Sequence, residues 1–265
     1  MLAEALDGDA AAAGLDVHYQ PVVRIDDGAV IAVEALARWT HPTSGPLPTA
    51  VFIAVAERTG LIGRLDDFVL DRACRDLAGY RGSDGIALHV NVSASRLGEP
   101  EVEAAVHDCL TRHHLEAGRL VLEVTESSPI SDAAAAVRSA RRLRERGVRL
   151  ALDDFGTGYS TLALLHELPL DIIKLDRSLT DTATAYANGS PPSGWDHGRG
   201  GAALCRAVLA IAKELNIVVV AEGVETAEQA AALCRAGCRY AQGHWYGRPG
   251  ALADAFRSVR EPQSA

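Results

Sequence analysis

Residues 120–155 read LVLEVTESSPISDAAAAVRSARRLRERGVRLALDDF, and the architecture can be worked outward from them. Leu120–Val124 is an apolar, β-branched run of strand length. Ser131-Asp132 then offers N-cap chemistry, because a short oxygen-bearing side chain accepts the free N–H groups of a first helical turn. The stretch 131–146 carries arginines at helical spacing, the pattern of a solvated helix face. Gly147 follows the helical run, and Val148–Leu152 is a second apolar run that stops at Asp153-Asp154. Strand, helix and strand in this order suggest two parallel strands joined by a crossover.

The same alternation recurs along the chain. Strands are expected at Val17–Val23, Val30–Leu36, Ile86–Val92, Leu120–Val124, Val148–Leu152, Asp171–Leu175, Ile217–Ala221 and Arg239–Gln242. Helices are expected near 49–59, 63–80, 101–114, 131–146, 160–167, 202–215, 226–236 and 251–258, with Pro48 before one and Gly237 after another. Eight strands alternating with helices predict an α/β fold of the TIM type, a (β/α)8 barrel. The first two strands meet across Asp26-Asp27-Gly28, a hairpin-type turn, so one strand near the N-terminus is expected to run antiparallel and the barrel to be a modified one. The expected domain plan is a helical lead-in or linker at 1–14, a barrel at 15–258 and a tail at 259–265. Gly, Ser and Pro crowd residues 180–201, which read as a loop inserted into the barrel.

Composition narrows the function. The 265 residues are 48% hydrophobic and 23% charged, enough to build a core and too apolar for a disordered chain. Apolar runs such as Ile217–Ala221 are too short for a membrane span. A net charge of −9 with no basic stripe argues against a polymeric nucleic acid as partner. Small anionic substrates stay open, provided that carboxylates hold metal ions. Five cysteines with no signal peptide ahead of them read as reduced thiols of a cytoplasmic protein, and Cys234 and Cys238 lack the further ligands of a metal site. Lysine occurs only at Lys174 and Lys213, which makes Lys174 beside an apolar strand conspicuous.

Barrel enzymes place their chemistry at the C-terminal ends of the strands. Here the second strand carries Glu34, the third ends in Asn91 and the fourth in Glu123; Asp153-Asp154 close the fifth, Lys174 lies near the end of the sixth, Glu222 follows the seventh and Gln242 ends the eighth. Singly, each has a plain explanation: a turn cap for Asp153-Asp154, a surface carboxylate for Glu123, a loop hydrogen-bonder for Asn91. Jointly, so many carboxylates on one rim would repel unless protonated or bound to cations. An all-oxygen set suits Mg²⁺ or Mn²⁺, and adjacent aspartates can serve two ions. Lys174 would then offset developing charge or orient an attacking water. The residues alone reach a metal-dependent phosphoester hydrolase and stop short of its substrate.

At these positions the chain resembles the EAL-domain phosphodiesterases of bacterial cyclic di-GMP signalling. The resemblance runs through Tyr19-Gln20-Pro21, Glu34-Ala35-Leu36 with Arg38-Trp39, Val90-Asn91-Val92-Ser93 and Glu123-Val124-Thr125-Glu126. It continues through Asp153-Asp154-Phe155-Gly156-Thr157-Gly158, Lys174-Leu175-Asp176, Glu222-Gly223-Val224-Glu225 and Gln242-Gly243. One three-letter match would mean little; an ordered set over about residues 15–250 is specific.

The resemblance implies hydrolysis of cyclic di-GMP to linear pGpG by a water activated between two metal ions, Mg²⁺ or Mn²⁺. It implies Glu34, Asn91, Glu123 and Asp153 around one ion, and Asp153, Asp154 and Glu222 around the other, with Glu222 also cast as general base. Lys174 would contact the attacking water, and Gln20, Leu36, Arg38 and Gln242 the substrate. Glu126 would anchor the loop after Asp154, Asp176 would support Lys174, and Glu225 would stand behind the ligands. It further implies a homodimer through the face near Asp154 to Ser160, and sensor or cyclase-like modules upstream. Departures such as Arg96, where glutamine is frequent, and the long 180–201 stretch touch no implied ligand. The alternative is a receptor of the same fold that binds cyclic di-GMP without cleaving it.

Overall fold

The computed structural model describes residues 2–125, 132–156, 167–181 and 197–257. A short helix α1 (Leu2–Asp7) leads into β1 (Leu15–Arg24), β2 (Val30–His41) and β3 (Gly45–Leu47). There follow α2 (Thr49–Arg58), α3 (Ile62–Gly79), β4 (Ala87–Asn91), α4 (Pro100–His113), β5 (Leu120–Thr125), α5 (Ala133–Glu145), β6 (Arg149–Phe155) and β7 (Ile172–Leu175). The chain continues through α6 (His197–Glu214), β8 (Val218–Ala221), α7 (Ala227–Arg235), β9 (Tyr240–Gln242) and α8 (Leu252–Arg257). The strands form one sheet in the order β1-β9-β8-β7-β6-β5-β4-β2-β3, and pairing of β1 with β2 closes eight of them into a barrel.

The expected hairpin is present. Gly28 turns the chain at φ 66°, Asp27 Oδ1 accepts the Ala29 N–H, and β1 runs antiparallel to both of its neighbours, β2 and β9. The other barrel neighbours are parallel. Asp132 caps α5 by accepting the Ala135 N–H, and Gly147 and Gly237 follow their helices at φ 94° each.

Two differences from the sequence expectation have physical causes. β2 does not stop at Leu36 but runs to His41, because β1 and the unexpected β3 supply it with antiparallel partners as far as Trp39 and His41. α6 starts at His197, so Gly198 to Gly201 belong to a helix and not to the inserted loop. A glycine costs a helix only about 1 kcal/mol, and a strong downstream helix can propagate through it. Residues 182–196 and most of the expected helix at 160–167 lie outside the described residues.

Two cores follow from strand alternation, since successive side chains point to opposite faces. Outward residues such as Leu88, Leu120, Leu122, Leu150, Leu152, Ile173 and Leu175 are buried under the helices. Each such side chain stabilises the fold by about 1.5–3 kcal/mol. Inward residues Val22, Ala32, Ala87, Val121, Ala151, Ile172 and Val220, one from each of seven strands, form an apolar plug with Tyr240 of the eighth packed against it. The barrel is therefore filled by side chains, and its floor is apolar.

Candidate active site

Two residues beyond the plug, every barrel strand changes character. The residues there are Gln20, Glu34, His89, Glu123, Asp153, Lys174, Glu222 and Gln242. Because β1 runs the other way, Gln20 precedes its plug residue where the rest follow theirs. Seven of the eight are buried and Glu222 is half-buried, so a polar tier rests directly on the apolar floor. Above it opens a cleft of about 310 Å³, lined among others by Gln20, Glu34, Leu36, Asp153, Asp154, Glu222 and Gln242.

Lys174 stands at the centre of this tier, fully buried. Its Nζ lies 3.1 Å from Glu34 Oε2, 3.0 Å from Glu123 Oε2, 3.1 Å from Asp153 Oδ1 and 2.8 Å from Glu222 Oε1. Neutral groups hold the outer oxygens. Asn91 Nδ2 donates to Glu34 Oε1 at 2.9 Å, and His89 Nδ1 lies 2.6 Å from Glu123 Oε1. Gln242 Nε2 donates to Glu34 Oε2 at 2.6 Å and to Gln20 Oε1 at 3.1 Å, while Gln20 Nε2 donates to the Gly247 carbonyl at 3.0 Å.

One ammonium facing four carboxylates leaves an excess of negative charge, and the titration of the cluster reflects it. Burial pushes the Glu222 carboxyl up to about 8, and burial with the neighbouring Asp153 charge pushes Asp154 up to about 6. Burial also raises Glu123 and Asp153. Glu34 goes the other way: burial opposes its charge, but Lys174 and the donors on Gln242 and Asn91 hold it at about 2. For Lys174, burial is outweighed by the surrounding carboxylates, which hold the ammonium well above its ordinary range. Burial, with the Lys174 charge adding to it, lowers His89 to about 3, so its imidazole is neutral.

The donor set fits divalent cations. Oxygens of Glu34, Glu123 and Asp153 come within 4.8 Å of one another, and so do oxygens of Asp153, Asp154 and Glu222, with Asp153 common to both groups. Oxygen-only ligands of this kind suit a hard ion. Gln242 Oε1 is buried without a hydrogen-bond partner, an acceptor that a cation or a ligand donor would satisfy. Asp154 holds a left-handed backbone at φ 55°, a conformation that costs a non-glycine residue energy and gathers at functional sites.

A family model described as EAL domain matches residues 2–249. The chain belongs to the EAL-domain family. The cyclic di-GMP phosphodiesterase NbdA of Pseudomonas aeruginosa is 43% identical over 251 residues, covering 93% of this chain and 30% of that protein. The bifunctional diguanylate cyclase/cyclic di-GMP phosphodiesterase MucR of the same organism is 40% identical over 249 residues, covering 92% of this chain and 34% of that protein. A solved structure titled PaMucR phosphodiesterase, c-di-GMP complex, superposes with a TM-score of 0.82 at 37% identity, over 95% of this chain and 98% of that one. The chain thus spans about a third of the length of these two relatives.

In this EAL domain the residues expected to act together are mostly brought together. Glu34, Asn91, Glu123, Asp153, Asp154, Lys174, Glu222, Gln20 and Gln242 share the site, and Leu36 lines the cleft. Arg38 stands two pleats above Glu34 on the same face of β2, where Nη1 donates to the Ala37 carbonyl at 2.8 Å and to Thr49 Oγ1 at 3.2 Å. Asp176 Oδ1 accepts the Ser178 N–H at 2.9 Å, and its charge bears on Asp154. Glu225 lies at the exposed lip of the cleft, 2.7 Å from Arg177 Nη1. Glu126 and the segment from Thr157 to Ser160 lie outside the described residues. Arg96 is buried in a structural network with Asp66, Asp67 and Glu99, away from the ligand set.

Sequence reasoning passed over His89, and over Arg177 and His244 at the cleft. His89 had a readable signal: it lies two residues before Asn91 and therefore on the same face of β4. No comparable signal marked Arg177, which reaches the cleft from a helical turn after β7, or His244, from the turn after β9. Among the described residues, no helix is long and apolar enough to cross a membrane.

Proposed function

We propose that this EAL domain hydrolyses cyclic di-GMP to linear pGpG with the help of two divalent cations. The observation that carries this reading is the pair of carboxylate groups sharing Asp153 beneath an open cleft, in a chain 43% identical to a relative named cyclic di-GMP phosphodiesterase. Glu34, Asn91, Glu123 and Asp153 would hold one Mg²⁺ or Mn²⁺, and Asp153, Asp154 and Glu222 the other. Such ions supply polarisation of the phosphodiester and activation of water for in-line attack.

The chain's own groups do the remainder. Glu222, whose Oε1 lies 2.8 Å from Lys174 Nζ, would accept a proton from the attacking water in its ionised form. Lys174, hydrogen-bonded to Glu34 and Glu123 and ion-paired to Glu222, would contact the attacking water and offset developing negative charge. Arg38 presents a planar fork to a phosphate oxygen pair, and Gln20, Leu36 and Gln242 shape the wall against which the dinucleotide lies. The apolar plug below keeps water from entering the site from underneath.

Chromatography of cyclic di-GMP incubated with the protein and Mn²⁺ or Mg²⁺, with an EDTA control, tests the reading. Cation-dependent pGpG is the expected result, lost in a folded Glu34→Gln variant. Tight binding of cyclic di-GMP by calorimetry with no product at saturating Mn²⁺ would make the domain a receptor instead.

A further inference from the structure

We propose that His89 is a positioning residue that fixes the Glu123 carboxylate for cation binding and so sets catalytic efficiency. The inference rests on the metal-dependent reading of the site given above, and no motif marks this residue.

The geometry is specific. β4 and β5 are parallel with Asn91 beside Glu123 and His89 beside Val121, so His89 lies one pleat below Asn91 on the inward face. From there its Nδ1 reaches Glu123 Oε1 at 2.6 Å, and the two residues are 2% and 0% exposed. The second oxygen, Oε2, faces the cluster, 3.0 Å from Lys174 Nζ. The two oxygens of Glu123 therefore have different tasks: His89 holds one, and the other points to the cation site.

Glu34 is treated in a related way, since Asn91 Nδ2 holds Oε1 while Oε2 faces Lys174 and accepts from Gln242 Nε2 at 2.6 Å. Two side chains from one strand, spaced by two residues, thus orient the two glutamates that face the first cation site. A side chain that orients a metal-binding carboxylate typically governs affinity by 10- to 100-fold. With His89 and Glu123 this buried, removing the imidazole leaves Glu123 Oε1 without its partner.

The test compares His89→Leu, which fills the space without a donor, with His89→Asn, whose amide can place an N–H where Nδ1 stood. Two measurements are made on folded protein, checked by thermal unfolding: the Mn²⁺ dissociation constant of EDTA-stripped protein by calorimetry with MnCl₂ alone, and kcat and KM for cyclic di-GMP. His89→Leu is expected to weaken Mn²⁺ binding by about 10- to 100-fold and to lower kcat with KM unchanged, and His89→Asn to recover most of both. Wild-type Mn²⁺ affinity in folded His89→Leu, or a His89→Asn protein as weak as His89→Leu, overturns the inference. If His89→Leu does not fold, a folded His89→Asn protein decides it by keeping or losing Mn²⁺ affinity. A wild-type protein that binds Mn²⁺ but leaves cyclic di-GMP intact refutes the proposed activity alone, because the affinity comparison still stands. One that binds no Mn²⁺ overturns both.

Discussion

The Lys174 ammonium lies 2.8 Å from Glu222 Oε1, closer than to Glu34, Glu123 or Asp153. A buried cation with four acidic neighbours is itself a stand-in for the positive charge that the site is built to receive. Removing one member of a buried ion cluster costs about 3–5 kcal/mol, because its partners are left charged without compensation. Lys174→Met should accordingly lose about that much stability at pH 8 in EDTA, and clearly less at pH 5, where the carboxyls can take up protons instead. Urea unfolding at the two pH values reads the difference. An equal loss at both would show that Lys174 acts through packing and not through charge.

The titration of the cluster predicts an unusual pH profile for the metal-free protein. Glu222 and Asp154 have folded values of about 8 and about 6, above the ordinary values of 4.5 and 3.8. A carboxyl raised on folding contributes its stabilisation fully below its unfolded value and loses it as pH climbs through the folded one. In EDTA the melting temperature should therefore fall between pH 5 and pH 8.5. Glu34, held at about 2, adds a separate acid-side loss as pH drops from about 4.5 towards that value. Saturating Mn²⁺ should reverse the alkaline trend, because cations bind the ionised carboxylates. A flat profile in EDTA would contradict the charge excess on which the metal assignment depends.

Much of this was legible in the residues because the fold obeys two simple periods. The C-terminal ends of the expected strands brought Glu34, Glu123, Asp153, Lys174, Glu222 and Gln242 to one rim before any coordinates, and helix caps such as Asp132 marked element starts. What escaped was non-local. The length of β2 depends on partners supplied by β1 and β3 and not on its own residues. Glu34 thereby comes to lie inside a long strand, opposite Gln20, and not at a strand end. His89 was overlooked because a lone histidine in an apolar run reads as core until its neighbour across the sheet is known.

The close approach of two loops depends on Gly243. A Cβ built there would lie 2.1 Å from the Val224 carbonyl oxygen and 2.3 Å from Val224 N, both backbone atoms that cannot move aside cheaply. This contact holds the end of β9, with Gln242, against the turn that follows Glu222. Gly243→Ala should force the two apart, costing about 2 kcal/mol or more, the range of substitutions that introduce backbone strain. A loss of that size lowers the melting temperature by several degrees in a domain this large. Because Gln242 and Glu222 move with the strained segment, Mn²⁺ affinity should fall as well. A stable Gly243→Ala protein with unchanged affinity would mean that the two loops carry no positional information for the site.

Arg38 offers a test confined to substrate. Its guanidinium is anchored by the Ala37 carbonyl and Thr49 Oγ1 through Nη1 alone, so the remaining N–H groups stay available to a phosphate. A hydrogen bond to a charged group is worth about 1.5–3 kcal/mol, or roughly 10- to 100-fold in binding. Arg38→Ala should raise KM for cyclic di-GMP by about that factor while Mn²⁺ affinity changes far less, since Arg38 bonds to Ala37 and Thr49 and reaches the cation groups only through the effect of its charge on Glu34. Arg38→Lys should recover little, because an ammonium is a point charge without the planar fork that meets two phosphate oxygens at once. Steady-state kinetics together with Mn²⁺ calorimetry separate the outcomes. A fall in kcat or Mn²⁺ affinity without a change in KM would move Arg38 out of substrate recognition and into the support of β2 beneath Glu34.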